Sequence, residues 1–220
     1  TKDMVTWTDH GAVLCPTDFA WAVGEAWASQ VVEKDGKFYY FTTVQAGEPF
    51  VGKAVGVAVS DSPTGPFVDA IGAPLVHDKM TDNGARGWWN DIDPTVLIDG
   101  DEAWVCWGNG TCFLAKLKSN MTELDGDIRV LDMPRFVEGP WLHKRDSLYY
   151  LTYAGMGYGR SELYWDDIDG NWVKVSDLSF KGPSFEAGVL ASWKFLTLGA
   201  GVSTISFRRI SLDICLGVSF

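Results

Sequence analysis

Three acids stand a short way ahead of three segments that share one pattern: Glu25, Asp93 and Glu138. Carboxyl groups that converge on a cavity can move protons in opposite directions. One, kept protonated, donates to a leaving oxygen, while another stays ionised and orients its partner or activates water. Hydrolysis of a glycosidic bond needs such a set. Other chemistries find less support. Cys15, Cys106, Cys112 and Cys215 show no CxxC spacing, and His10, His77 and His143 are scattered, so neither a zinc site nor a disulfide framework is indicated.

The segments behind the acids are Val31–Thr42, Val96–Trp107 and Trp141–Tyr153. Each joins an apolar run to an aromatic-rich run through a tight polar turn, at Gly36, Gly100 and Ser147 respectively. That is the signature of a β-hairpin whose turn tolerates positive φ. Hairpins recurring at intervals of roughly 45 to 65 residues suit propeller blades with loops of variable length. The first strand of a propeller blade lines the central channel, so acids ahead of successive hairpins would meet there. Val59–Phe67 and Trp165–Trp172 form a second repeat, read as the outer turn of a blade ending on an aromatic plug or as an ordinary Pro/Gly turn. Helical periodicity is hard to find.

Composition narrows the partners. The formal net charge is -11, which repels phosphate backbones and anionic lipid, so neither nucleic acid nor membrane is expected as a partner. Aromatic residues make up 14% of the chain, enough both for a β-rich core and for faces that stack on sugar rings. The apolar stretch Leu190–Ile205 is broken by Lys194, Gly199, Gly201 and Ser203 and does not read as a spanning helix. The first residues, Thr1–Trp7, read like the inside of a domain, so an extracellular and a cytoplasmic location both stay open.

Four stretches, in order, resemble glycoside hydrolase family 43, the β-xylosidases, α-L-arabinofuranosidases and endo-arabinanases. They are Asp3–Gly11, Trp21–Ala28 with the Gly36 hairpin, Asp91–Val96 with Trp107–Asn109, and Glu138–Trp141 with Tyr149–Tyr150. The resemblance covers about residues 1–160. It implies a five-bladed propeller and an inverting mechanism with three carboxylates: a general base, an Asp that tunes and orients the acid, and a Glu that is the acid. The Glu of the family's EGP motif falls on Glu138 and the Asp of its IDP motif on Asp93. Trp27 is a candidate to stack on a sugar and Asn109 to bond a hydroxyl. The family places no catalytic acid at Glu25. Competing readings are a strand-end cap for Glu138, an Asx turn for Asp93, a core residue for Trp27 and a turn residue for Asn109. No metal site is assigned and no cofactor expected, although the resemblance allows a structural calcium.

The pattern departs from the family at both ends. Nothing in the chain replaces the Asp-Pro motif of the base; Asp3 and Asp9 do not fit it. After Gly155 no further hairpin acid or histidine follows. The expectation is therefore an all-β chain. Residues 1–165 would be a five-bladed propeller that is incomplete, lacking the start of the first blade and the last blades. Residues 166–220 would be a β-rich tail, resembling part of a family 6 carbohydrate-binding module (a β-sandwich) with Ser203–Ile210 as one strand, or else an abnormal continuation of the fourth blade. The function implied is hydrolysis of glycosidic bonds in xylose- or arabinose-containing oligosaccharides or polysaccharides, impaired without the base. The alternative is a non-catalytic sugar-binding propeller fragment. A fructan-type propeller is less favoured because its Arg-Asp-Pro motif is absent.

Overall fold

The computed structural model describes residues 1–81, 89–133, 136–161, 164–166, 172–174, 180–193, 196–205 and 209–218. The chain forms two compact units, residues 1–134 with 138–140, and residues 135–137 with 141–220.

The first unit holds two antiparallel sheets of four strands. One runs β1 (Ala22–Lys34), β2 (Lys37–Ala46), β3 (Lys53–Ser60), β4 (Val68–Asp69) in that spatial order. The other runs β5 (Thr95–Asp99), β6 (Glu102–Trp107), β7 (Cys112–Leu117), β8 (Arg129–Leu131). These are meanders in which each strand pairs with its sequence neighbour, as a propeller blade requires. No sheet among the described residues closes on itself. The only helix described is a 3-10 turn, Pro16–Asp18. The hairpin turns fall where the sequence places them, with Asp35 and Gly36 at φ 54° and 76° and Gly100 at 61°.

Strand β3 reads Ala54-Val55-Gly56-Val57-Ala58, an apolar run without alternation, because both of its faces are buried. Val55 and Val57, with Phe41 of β2, pack against Val96, Val105, Trp107 and Phe113 of the second sheet. The opposite face, with Val44 and Ala58, packs on Phe19 and Phe67. Phe67 is thus the aromatic plug expected at the end of its turn. Gly56 leaves room on this side, since a Cβ there would lie 3.0 Å from the Phe19 ring and 3.2 Å from Trp21 and would crowd both.

The two sheets are also joined by a side chain that acts as a strand. Gln30 of β1 donates from Nε2 to the Val96 carbonyl at 3.2 Å and accepts the Val96 N–H on Oε1 at 2.7 Å. Val96 is buried, so its peptide groups on this edge of β5 have no water to turn to.

The second unit differs from the expected blade. Strands β9 (Glu138–Arg145, whose first three residues belong to the first unit) and β10 (Leu148–Ser161) form the third hairpin, with Asp146 at φ 56°. They do not belong to a four-stranded sheet. β10 pairs along its length with β13 (Phe180–Trp193), and β14 (Leu196–Ile205) and β15 (Arg209–Val218) follow, giving a sheet ordered β15-β14-β13-β10-β9. The thirteen β10–β13 pairs run from Tyr149↔Ser192 to Ser161↔Phe180 without a register break, which carries the sheet beyond blade size. A separate small hairpin pairs β11 (Tyr164–Asp166) with β12 (Trp172–Lys174). Asp167–Asn171, the middle of the second Pro/Gly-type turn, lie outside the described residues. The stretch Ser203–Ile210 is not one strand. Ile205 ends β14 and pairs with Arg209, the first residue of β15, so the chain reverses within it.

The Gln30 clamp gives the first prediction. Gln30→Leu keeps the bulk but leaves one buried N–H and one buried C=O without partners, at about 1–3 kcal/mol each. The variant is expected to lose about 2–6 kcal/mol in urea-unfolding free energy, with no change in far-ultraviolet circular dichroism.

Candidate active site

Asp93, just ahead of β5, makes polar contacts with β2 and with the start of β9. It follows the buried Ile92 and precedes Pro94 at φ 58°, a left-handed conformation that is strained for a residue ahead of proline. The conformation is held from both sides. Its N–H donates to Thr43 Oγ1 of β2 at 3.0 Å, and its Oδ2 accepts the Gly139 N–H at 3.0 Å. Gly139 adjoins Glu138, so the accepting bond carries the Glu138 backbone to the Asp93 carboxylate. Gly139 itself sits at φ 65°, which its lack of a Cβ permits. Burial pushes the Asp93 carboxyl above its ordinary range, the Gly139 N–H acts against this, and the charge of Glu138 adds to the rise. Glu138 is exposed, at the start of β9.

Asp91, two residues earlier, is a buried acid that the sequence reading passed over. Both of its oxygens accept from Thr81 Oγ1 at 2.8 Å, and Oδ1 also accepts from the Trp107 indole at 3.0 Å. Burial still dominates and raises its pKa to about 6. The segment is pinned further by Gly108, whose N–H donates to the Ile92 carbonyl at 2.9 Å. A Cβ on Gly108 would lie 1.9 Å from the Thr111 carbonyl oxygen, so only glycine fits there. Asn109, the candidate hydroxyl partner, follows Gly108 and is buried.

Trp27 lies opposite Thr43 in the β1–β2 register, so the two point to the same face. It is half-buried and stacks on Trp89, with ring centroids 4.8 Å apart and planes at 29°. Lys53, on the same face at the start of β3, places its ammonium 3.8 Å from the Trp27 centroid and 5.2 Å from that of Trp89, and forms an ion pair with Glu25. Strand β1 is irregular here, with register shifts between Ala22 and Gly24, Gly24 and Ala26, and Trp27 and Gln30. Glu25 and Ala28 sit at φ 51° and 42°. Bulges of this kind re-aim side chains beside functional sites.

Asp93 is therefore linked to the peptide adjoining Glu138 through the Gly139 N–H, and Thr43, which accepts the Asp93 N–H, lies opposite Trp27 in the β1–β2 register. Sequence reasoning missed Thr43, Lys53, Trp89 and Asp91. The signals available were polar residues inside apolar strands, for Thr43 and Lys53, and proximity to the IDP motif, for Trp89 and Asp91. Asp3 is occupied with local structure: the N–H groups of Thr6 and Val5 hold its pKa down to about 2. Among the described residues no three His, Cys, Asp or Glu side chains gather as metal ligands. No helix among them is long and apolar enough to cross a membrane.

Residues 1–165 match the model of glycosyl hydrolases family 43, and the chain belongs to that family. It is 31% identical over 171 residues to a beta-D-galactofuranosidase of Aspergillus niger, covering 72% of this chain and 48% of that protein. It is 32% identical over 185 residues to an arabinoxylan arabinofuranohydrolase of Bacillus subtilis, covering 70% and 34%. Among solved structures, an alpha-L-arabinofuranosidase from Clostridium thermocellum superposes with a TM-score of 0.62 at 30% identity, over 88% of this chain and 56% of that one. The chain thus spans about half or less of the length of these two curated relatives.

The raised Asp91 has a consequence for stability. Its folded pKa of about 6 exceeds the ordinary 3.8, so its contribution is fully present below about pH 4 and is lost as pH rises through about 6. The difference amounts to roughly 3 kcal/mol. Asp91→Asn keeps a carbonyl for the Trp107 indole and offers an amide to Thr81. Urea-unfolding free energies measured at pH 4 and pH 7 should therefore fall less between the two in the variant than in the wild type.

Proposed function

We propose that this chain carries the acid side of a glycoside-hydrolase site for xylose- or arabinose-containing oligosaccharides and polysaccharides. Glu138 is the general acid, and Asp93 orients it and tunes its protonation. The observation that carries the reading is the 3.0 Å bond from the Gly139 N–H to Asp93 Oδ2. It fixes the carboxylate on the peptide adjoining Glu138, so the two acids act as a pair and not as two strand ends. Trp27 supplies an apolar face for the sugar ring, and Asn109 a side chain to bond a sugar hydroxyl. The names of the relatives, which specify arabinofuranosyl and galactofuranosyl groups, support a neutral furanoside ligand, and the acidic net charge favours a neutral ligand over an anion.

The mechanism follows from the family resemblance and is inverting. Glu138 delivers its proton to the glycosidic oxygen as the bond to the anomeric carbon breaks. A water enters from the opposite face, and its proton passes to a base carboxylate. Inverting enzymes separate the two working carboxyls by roughly 6.5–9.5 Å to admit that water. No residue of this chain is assigned as the base. The blades of the first unit would belong to a five-bladed propeller, and the acids would face its channel.

The test compares the 220-residue chain with a version extended upstream through an Asp-Pro motif and downstream to close the propeller. The chain alone is expected to hydrolyse aryl arabinofuranosides and aryl xylosides on the order of 10²–10⁴ times more slowly than the extended version. In the extended enzyme, Glu138→Gln should abolish turnover of substrates with poor leaving groups. It should spare activated aryl glycosides, which need little protonation. Robust turnover by the 220-residue chain would place the base within it, and an unaffected Glu138→Gln variant would remove Glu138 from the acid role.

A further inference from the structure

Proton transfer leaves the cluster around Lys53 unexplained. The Lys53 side chain is only 4% exposed, yet its ammonium ends against a carboxylate, Glu25, whose side chain is 54% exposed. Burying an ammonium to pair it with a surface carboxylate is a poor way to hold a sheet, since an apolar side chain of similar length packs as well or better. What a methionine could not do is fix a charged carboxylate at the surface beside two aromatic rings. One of those rings, Trp89, is 45% exposed although it stacks on Trp27. The backbone is also bent to present the acid: Glu25 lies at φ 51° within the register shift between Gly24 and Ala26 of β1. Exposed apolar area, a strained acid and a buried cation that orients both make up a binding surface more than a structural one.

We propose that Glu25 and Trp89 form a carbohydrate-binding subsite beside the Asp93–Glu138 pair, with Lys53 as its positioning residue. The exposed part of the Trp89 ring stacks on the C–H face of a sugar. Lys53 engages Glu25 through Oε2, which leaves Oε1 to accept one or two sugar hydroxyls through charge-assisted hydrogen bonds. The charges of Lys53 and Glu25 cancel, so the subsite takes a neutral polyol ring and not an anion. Glu25 binds and does not transfer protons, consistent with a position at which the family has no catalytic acid. The substrate class rests on the function proposed above, whereas the subsite itself involves no chemistry of Glu138.

The probe is xylotriose, titrated into the 220-residue chain by calorimetry, with tryptophan fluorescence as a second reading. Replacing Glu25 alone would strand a buried ammonium, so the informative variant is the double Lys53→Met/Glu25→Gln, which leaves a neutral pair. It is expected to fold, with the near-ultraviolet spectrum of the wild type, and to bind xylotriose about tenfold or more weakly, as loss of a hydrogen bond to a charged group implies. Trp89→Ala should weaken binding similarly, and Lys116→Met, at an exposed pair with Glu102, should bind as the wild type does. In the extended enzyme the double variant should raise KM and leave kcat nearly unchanged. Wild-type affinity in the double variant, or no binding of xylotriose by the wild-type chain, would overturn the subsite. A fall in kcat at constant KM would also overturn it, by putting Glu25 in the chemistry. If Glu138→Gln leaves hydrolysis intact while the double variant still loses xylotriose, the acid assignment falls and the subsite stands.

Discussion

Asp93 is tied at both ends, and the arrangement of the first unit depends on those ties. Its N–H is held by a hydroxyl on β2 and its carboxylate by the peptide that begins β9. A residue in the left-handed region ahead of proline does not hold that conformation by itself, because the cost is on the order of 1–3 kcal/mol. Two hydrogen bonds from separate strands offset it. The same two bonds decide which way the carboxylate faces. Without them, Asp93 would be an Asx-turn acid, which is how an Asp ahead of Pro94 also reads in the sequence. The strain and the site are thus one feature, because the backbone could not relax without withdrawing the acid from Gly139.

That constraint requires a rigid support, and the core shared by the two sheets supplies it. Val55 and Val57 lie on the same face of β3 as Lys53, and Phe41 on the same face of β2 as Thr43. One face therefore changes along its length from packed apolar residues to Thr43, Lys53 and Trp27. The apolar part gains from burial, at roughly 25 cal/mol per Å². The polar part spends some of that gain on a buried ammonium, a buried Asp91 and a strained Asp93. Alternation that is apolar at one end and polar at the other end of the same face marks a sheet that is core and site together.

The hairpins were legible in the sequence because their signals are local. Gly36, Gly100 and the Asp146–Ser147 pair set turns whose flanking runs need no distant partner to be recognised. The motifs that hold Asp93 and Glu138 were legible as well, and the bond from the Gly139 N–H to Asp93 required only that the motifs be brought together. What escaped was non-local. Gln30 reads as a polar residue in a strand, and nothing near it in sequence says that it completes the edge of β5, sixty-six residues away. Lys53 opens an apolar strand and would ordinarily be taken for its solvated end, yet its side chain is buried and its ammonium lies over Trp27 and Trp89. The fate of β10 was missed for a similar reason. An edge formed by the third hairpin accepts whichever long strand matches it, and β13 matches over thirteen residues.

The second unit shows the other side of the same physics. In β15, Ile210, Leu212 and Ile214 alternate on one face and are 72%, 76% and 80% exposed, and Val202 and Leu198 of β14 share that face. The period-2 pattern is regular, so strand formation is explained by the sequence as well as it is for the apolar run of β3. What differs is the presence of a facing layer. β3 has one on each side, so its alternation disappears into a continuous apolar run, whereas one apolar face of β14 and β15 meets no other element among the described residues. A strand pattern specifies pairing and leaves open what lies on top of it. For that reason the sequence of residues 180–218 supports a sheet without indicating whether that sheet is half of a sandwich or part of a blade. Strand patterning and layer architecture are separate pieces of information. In the first unit both are present, and there the acids have a frame stiff enough to hold a strained aspartate against its partner.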